Sequence, residues 1–263
     1  MTPDVPSRAT FPGSRPSGVV DEAAASRQVR EMFSHIAPSY DLLNHLLSMR
    51  FDVMWRKRLA SRFADILERP EARILDLCCG TGDLALVLAN SPRRRVDSEP
   101  LCLVGADFAH PMLVRAHEKA GRNRGRPIKF VEADALSLPF ADARFDLVAT
   151  AFGFRNLANY AEGLRELRRV LKAGGSVAIL EFAEPRGALF RHGFDFYFHR
   201  VLPAIGAAIS GNASAYTYLP DSVARFPAPG ELLKLMEESG YSGVAFESWT
   251  GGIVTLHTGQ ARF

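Results

Sequence analysis

Residues 74–85 read ILDLCCGTGDLA, an apolar run that continues into a glycine turn and then into an amphipathic segment. Gly80 and Gly82 permit a tight turn, and they let a ligand lie against bare backbone at the N-terminus of the helix that follows. Together with Ala85 they also satisfy the loose pattern G-x-G-x-x-A, which more than one nucleotide cofactor shares. The stretch therefore predicts a strand–turn–helix unit that binds a nucleotide, and its neighbours must identify which one.

Acidic residues near the ends of the first three predicted strands help to identify the cofactor. Asp76 lies four residues ahead of Gly80, where its carboxylate would repel a pyrophosphate but attract a methionine amino group and a sulfonium. Asp107 ends the second strand and could accept both ribose hydroxyls, as it could with either cofactor. Asp134 follows the third strand and could accept the adenine amino group, while the backbone amide of Ala135 serves a ring nitrogen. The structural alternatives are acids that cap a turn or a helix, but the series predicts S-adenosylmethionine.

Short apolar runs alternate with amphipathic helices after Pro70, which predicts a parallel sheet with helices on both faces. These runs are residues 74–78, 101–106, 128–131, 145–150 and 177–182. Two further runs, 244–249 and 253–257, are joined by Thr250-Gly251-Gly252, which suits a tight antiparallel hairpin. The predicted fold class is α/β, with a mostly parallel seven-stranded sheet and an antiparallel C-terminal hairpin.

Two segments precede the sheet. Residues 1–25 are rich in Pro, Ser, Gly, Arg and Ala, with too little apolar surface to offset the entropy of ordering, so they are predicted to be a disordered tail. Apolar residues at helical spacing predict helices across 26–69. We expect these helices and the sheet to form one domain, residues 26–263.

The composition excludes several classes of protein. The 32 basic and 29 acidic residues nearly balance, at a net charge of +3, so a nucleic acid partner is not expected. Cys78, Cys79 and Cys102 lack the paired spacing of a zinc site and are interpreted as small buried residues in a reducing compartment, with a reactive thiol as the alternative. The seven histidines show no metal spacing, so no metal is assigned. No signal peptide or spanning run is found, which predicts a cytoplasmic protein.

Two motifs carry a resemblance to known families. Residues 171–175, LKAGG, together with the acidic positions resemble motifs of class I, Rossmann-like methyltransferases, and residues 152–157, FGFRNL, resemble the demethylmenaquinone and polyprenyl-benzoquinol methylase family. The similarity covers roughly residues 28 to 260. It implies C-methylation of a polyprenylated quinol in menaquinone or ubiquinone biosynthesis, with cofactor contacts at Thr81, Asp107, Asp134 and Ala135. Ala151 stands where relatives often carry Ser, so a hydroxyl contact there is absent. Gly80, Gly82 and Asp76 complete the predicted cofactor site.

Three residues are candidates for the reaction itself. Arg155 follows the fourth strand, where its guanidinium could stabilise a forming phenolate; a structural ion pair is the alternative. Asn156 is adjacent to it, and could instead cap the next helix. Tyr40 resembles a family position that faces the reaction centre and could hydrogen-bond the quinol oxygen, although a Tyr on an amphipathic helix is more often in the core.

Residues 186–223 are expected to cover the substrate. Aromatic residues are mixed with arginines there. Residues 186–218 could therefore admit a prenyl tail or rest on anionic lipid at the inner face of the membrane, with a plain core helix pair as the alternative. Two other functions stay open: a methyltransferase of another hydrophobic small molecule, and a non-catalytic scaffold of a quinone-making complex. Tail length, the choice between the two quinones, the general base and homo-oligomer formation are not fixed by the sequence.

Overall fold

A computed structural model describes residues 13–14, 19, 21–37, 41, 48, 50–90, 102–123, 127–185 and 213–262, with side chains from 218 onward in the last range. Seven described strands form a single sheet in the order β3-β2-β1-β4-β5-β7-β6. They are β1 (Arg73–Leu77), β2 (Cys102–Asp107), β3 (Ile128–Glu132), β4 (Phe145–Ala151), β5 (Leu171–Phe182), β6 (Tyr241–Trp249) and β7 (Val254–Ala261).

The first five strands are parallel, and β7 runs antiparallel to both β5 and β6. The turn between β6 and β7 is a short 3-10 helix, Thr250–Gly252, in which Thr250 and both glycines have positive φ. The predicted α/β class, the parallel sheet and the C-terminal hairpin are therefore confirmed. Strand order reverses between β1 and β4, and the carboxyl edge at such a point is where open α/β sheets bind ligands.

Helices cover both faces of the sheet, which explains why its central strands are almost entirely apolar. Tyr160, Leu164 and Leu167 pack against one face, and Trp55 and Leu59 pack against the other. The described helices are α1 (Glu22–Ile36), α2 (Phe51–Arg62), α3 (Ala64–Leu67), α4 (Asp83–Ala89), α5 (His110–Arg122), α6 (Tyr160–Val170), α7 (Ala213–Arg225) and α8 (Pro229–Glu238). No helix within the described ranges is long and apolar enough to cross a membrane.

The structure corrects the predicted boundary of the N-terminal tail. α1 begins at Glu22 rather than after residue 25, with Asp21 as its N-cap accepting the Ala24 N–H at 2.8 Å. Ala25 is fully buried, and Ser14, well inside the predicted tail, is only 2 % exposed. Composition missed these residues because small side chains and backbone hydrogen bonds hold them, without an apolar pattern.

The LKAGG segment, residues 171–175, lies within β5. Leu171 pairs with Phe145, and the register then moves directly from Leu171 to Ser176, which pairs with Leu147. Gly174, at φ 71°, supplies the left-handed backbone that this irregularity requires. Of the predicted substrate cover, residues 186–212 lie outside the described residues, and the remainder forms most of α7.

Candidate functional site

A pocket opens at the carboxyl edge of the sheet, where the strand order reverses. The ends of β1, β2, β3 and β4 contribute to its wall, and Phe33 of α1 and Arg56 of α2 close it from the N-terminal side. Seven predicted site residues line it: Asp76, Gly80, Thr81, Asp107, Asp134, Ala135 and Asn156. Gly82 and Arg155 lie just behind the wall, and Tyr40 lies outside the described residues.

The glycine turn has the backbone geometry that its sequence predicts. Gly82, at φ 84°, is the N-cap of α4, and its N–H donates to the Cys79 carbonyl at 2.8 Å. A Cβ at Gly82 would lie 3.2 Å from Ala116 and 3.3 Å from Phe130. Cys78 also has positive φ, at 53°, although it is not a glycine. Strained backbone at a non-glycine residue often accompanies a functional site.

Asp76 is fully buried, and neither of its carboxylate oxygens has a hydrogen-bond partner among the described residues. Burial raises the pKa of Asp76 to about 8. The nearby Ala85 backbone N–H, which does not reach hydrogen-bonding geometry with the carboxylate, and the charge of Arg56 oppose that rise only in part. An unpaired buried carboxyl is costly unless a ligand completes it. Asp76 therefore fits an ammonium group that enters the pocket.

Asp107 ties the end of β2 to the glycine turn. Its Oδ2 accepts the Gly80 N–H at 2.8 Å, and its Oδ1 accepts the Ala109 N–H at 2.9 Å. Burial raises the pKa of this carboxyl, while the two hydrogen bonds lower it. Each carboxylate oxygen can accept a second hydrogen bond, so Asp107 can serve a pair of ligand hydroxyls without releasing the backbone.

Asp134 and Ala135 form the next part of the wall, beyond the end of β3. Asp134 Oδ1 accepts the Leu136 N–H at 2.9 Å, which folds the chain into a local turn and fixes the carboxyl group. An acidic residue that caps a turn was the structural alternative for Asp134, and this turn resembles it, yet Asp134 also lines the pocket. Asp134 and Ala135 can therefore present an acceptor and a backbone amide side by side.

Sequence reasoning missed a charged network around Thr81. The Thr81 hydroxyl donates to Asp41 at 2.5 Å, and Lys119 donates to Asp41 at 2.9 Å and to Thr81 at 3.1 Å. Lys119 also forms a hydrogen-bonded ion pair with Asp83. Because the Thr81 hydroxyl is already hydrogen-bonded to Asp41 and Lys119, a ligand would contact the backbone of Thr81 rather than its side chain.

Arg56 is a second functional candidate that the sequence did not reveal. It is 7 % exposed, pairs with Asp52 one helical turn earlier, and lies 3.8 Å from Asp83. Its guanidinium also stands 5.6 Å from the centre of the Phe152 ring. The i, i+4 spacing of Asp52 and Arg56 was the available signal, but such pairs are usually found on exposed helix faces.

Arg155 forms the structural ion pair that was its alternative interpretation. Its guanidinium donates to Glu181 Oε2 at 3.0 Å and to the Ser222 hydroxyl at 3.3 Å, and its backbone N–H donates to Glu181 Oε1 at 3.1 Å. Glu181 is fully buried, which raises its pKa, while the charge of Arg155 opposes that rise. The pair anchors the 3-10 turn Phe154–Asn156 beside the pocket.

Asn156 does not cap the next helix, because Asn159 takes that place and accepts the Glu162 N–H at 3.0 Å.

The interpretation of the cysteines needs one correction, since Cys102 is exposed while Cys79 is buried. Burial raises the pKa of both Cys78 and Cys79, which disfavours a reactive thiolate at either. No cluster of three metal-binding side chains occurs in the part of the chain that the structure describes.

Comparison with known proteins agrees with this geometry. The sequence pattern of the ubiE/COQ5 methyltransferase family matches residues 21–261. A demethylmenaquinone methyltransferase of Thermus thermophilus is 50% identical over 229 residues, 87% of this chain and 99% of the relative. The ubiquinone/menaquinone biosynthesis C-methyltransferase UbiE of Geobacter sulfurreducens is 42% identical, over 89% of this chain and 88% of the relative. The fold is similar to that of a SAM-dependent methyltransferase from Thermotoga maritima, at a TM-score of 0.61 and 18% identity, covering 89% of this chain and all of that one.

Proposed function

The chain belongs to the ubiE/COQ5 methyltransferase family, and from this membership we propose that it transfers the methyl group of S-adenosylmethionine to a ring carbon of a polyprenylated quinol. The observation that carries the proposal is the meeting of Asp76, Asp107 and Asp134 in one pocket, around a glycine turn. The relative from Thermus thermophilus is named for demethylmenaquinone. Demethylmenaquinol is therefore the first substrate to test.

The pocket residues fit the cofactor group by group. The unpaired oxygens of Asp76 suit the methionine ammonium, the remaining acceptor capacity of Asp107 suits the ribose hydroxyls, and Asp134 with Ala135 suits the adenine edge. When bound, S-adenosylmethionine supplies a methyl group already activated by positive sulfur. The chain's contribution is to hold the substrate carbon in line with that methyl group and to exclude water.

The reacting carbon of a quinol becomes nucleophilic as its neighbouring hydroxyl loses proton density. Asn156 lies on the turn after β4 and lines the pocket, and Arg155 precedes it on the same turn, just behind the wall. We assign to them the stabilisation of the developing negative charge on the ring oxygen, with Arg155 acting electrostatically from its pair with Glu181. A membrane contact through residues 186–218 stays part of the proposal, because a prenyl tail partitions into lipid.

The test of this function is a methyl-transfer assay with a defined redox state. We expect the purified protein, labelled S-adenosylmethionine and a short-prenyl demethylmenaquinol to give a product methylated on a ring carbon, and the oxidised quinone to give none. Mass spectrometry would place the methyl group. A methyl group on oxygen, or an equal yield from the quinone, would contradict C-methylation of the quinol. The same assay with extracted lipids tests the two alternative functions. Label transfer only to a lipid other than the quinol would support a methyltransferase of another hydrophobic small molecule, and no transfer at all would support a non-catalytic scaffold.

Cofactor binding is expected to depend on pH through Asp76. With its pKa at about 8 in the free protein, this carboxyl is mostly protonated at pH 6, and it must ionise to pair with an ammonium group. Affinity for S-adenosylmethionine should therefore rise from pH 6 to pH 8, with release of close to one proton for each cofactor bound at the low end. Calorimetry in two buffers of different ionisation enthalpy measures that release.

The matched variant for this prediction is Asp76→Asn, which cannot release a proton. It should bind more weakly at pH 8 and show a flat affinity profile across the same range. Because the folded-state pKa of Asp76 lies above the 3.8 of an ordinary aspartate, the free protein should lose stability as pH rises towards 8. An identical proton release by Asp76→Asn would show that another group is responsible.

A further inference from the structure

Gly13 and Ser14, which we call the strap, lie against the outer side of the pocket edge. The Ser14 N–H donates to the Leu157 carbonyl at 2.7 Å, and the Ser14 hydroxyl lies 2.8 Å from the hydroxyl of Tyr218. Leu157 itself lines the pocket. The strap therefore joins α7 to the turn after β4, although Ser14 and Tyr218 are 204 residues apart in sequence.

The approach of the strap is too close for any residue with a side chain at position 13. Gly13 has φ 110°, a backbone conformation that other residues rarely adopt. A Cβ there would lie 2.3 Å from the carbonyl carbon and oxygen of Ala158, and 2.6 Å from the Asn159 nitrogen. Ala158 also lines the pocket, so the glycine brings the strap directly onto the backbone of the wall.

The hydrogen bonds continue from the strap to a candidate catalytic residue. The Tyr218 hydroxyl donates to Asn156 Oδ1 at 3.1 Å, so it must accept its other hydrogen bond from the Ser14 hydroxyl. Because the Asn156 carbonyl oxygen is engaged in this way, the two N–H groups of its amide are the part that can meet a ligand. Asn156 lines the pocket, and the proposed function puts the quinol ring beside it.

We propose that Ser14 and Tyr218 are positioning residues, which hold Asn156 so that its amide N–H groups donate to the ring oxygen of the quinol. The proposal rests on the proposed function and extends it to residues that do not themselves touch the substrate. A free Asn side chain can rotate and present either its oxygen or its nitrogen. The hydrogen bonds from Ser14 to Tyr218 and from Tyr218 to the Asn156 side-chain oxygen fix the orientation of the amide. The orientation matters because a carbonyl turned towards a developing phenolate would repel it.

The experiment compares the turnover of the reduced short-prenyl quinol by Tyr218→Phe, Asn156→Ala and the double variant. We expect Tyr218→Phe to lower kcat roughly 10-fold, a change that corresponds to the loss of about one hydrogen bond. The affinity for S-adenosylmethionine should be unchanged. In the Asn156→Ala background, Tyr218→Phe should have no further effect, because there is no amide left to orient. A purely structural role for Tyr218 would lower kcat in both backgrounds, and that result would overturn the proposal.

Variants of the strap supply the remaining controls. Ser14→Ala should lower kcat as Tyr218→Phe does, and Ser14→Thr, which keeps a hydroxyl, should restore it. Gly13→Ala should also lower kcat, whereas Gly121→Ala, at a position with nothing within 4 Å of the new methyl group, should not. Parent-like kcat in Ser14→Ala and Tyr218→Phe overturns this proposal alone. A parent protein that neither methylates the quinol nor binds it, measured by tryptophan fluorescence, overturns the proposed function as well.

Discussion

Replacing Arg155 with methionine is expected to lower the free energy of unfolding by about 3–5 kcal/mol, the usual cost of removing one partner of a buried ion pair. Glu181 would then be left charged, fully buried and without its guanidinium partner. Turnover should fall far more than affinity for S-adenosylmethionine, because the proposed charge on the quinol oxygen develops only in the transition state. Denaturant titration, calorimetry and the methyl-transfer assay measure the three effects separately.

The double variant Arg155→Met with Glu181→Gln separates stability from catalysis. Glutamine removes the uncompensated charge. Its single carbonyl oxygen keeps an acceptor for one of the two backbone N–H groups, those of Arg155 and Phe182, that the two oxygens of Glu181 now accept separately. We therefore expect the double variant to regain much of the lost stability while turnover stays low. If turnover returned together with stability, Arg155 would have only the structural role that its ion pair already shows.

The second large effect is expected at Asp107. Asp107→Ala should weaken S-adenosylmethionine binding by at least about 1.5–3 kcal/mol, the contribution of hydrogen bonds to a charged group. The loss should exceed that of Asp107→Asn, because alanine also frees the Gly80 N–H, which fixes the glycine turn. Calorimetry at equal pH compares the two variants with the parent protein.

NAD provides the counter-test for the same site. Asp76 lines the pocket near the glycine turn, where its ionised carboxylate would repel a pyrophosphate, so the parent protein should not bind NAD above pH 8. Tight NAD binding, or an Asp107→Ala variant with the affinity of the parent, would contradict the assignment of this pocket to S-adenosylmethionine.

Much of the fold followed from periodicity, since a buried parallel sheet needs short apolar runs separated by helices. The acidic residues of the site were also predictable, because each lies at or near the carboxyl end of a strand and the carboxyl ends of parallel strands meet at one edge. Asp76, Asp107 and Asp134 occupy such positions and do meet. Their positions at the ends of successive strands placed them beside the glycine turn, and from that placement their role in binding a cofactor could be inferred.

Contacts between distant segments could not be predicted in the same way. Lys119 reaches Thr81 and Asp41 from α5, and Glu181 reaches Arg155 from β5, with no local pattern that marks either contact. Ser14 was misjudged because hydrogen bonds hold it in place, and hydrogen-bonding partners leave no periodic signal in a sequence. Composition measures the apolar surface that a segment can bury, and such segments bury very little.

The place of β7 within the sheet sets when this chain can complete its fold during synthesis. β5 and β6 leave the ribosome before β7, yet each of them pairs with β7 rather than with the other. Until residues 254–261 emerge, both strands present unpaired edges, which readily join those of other chains. A chain cut after the turn at Thr250–Gly252 would therefore leave the β7-facing edges of both strands open at once, and we expect such a truncated chain to self-associate where the parent chain does not.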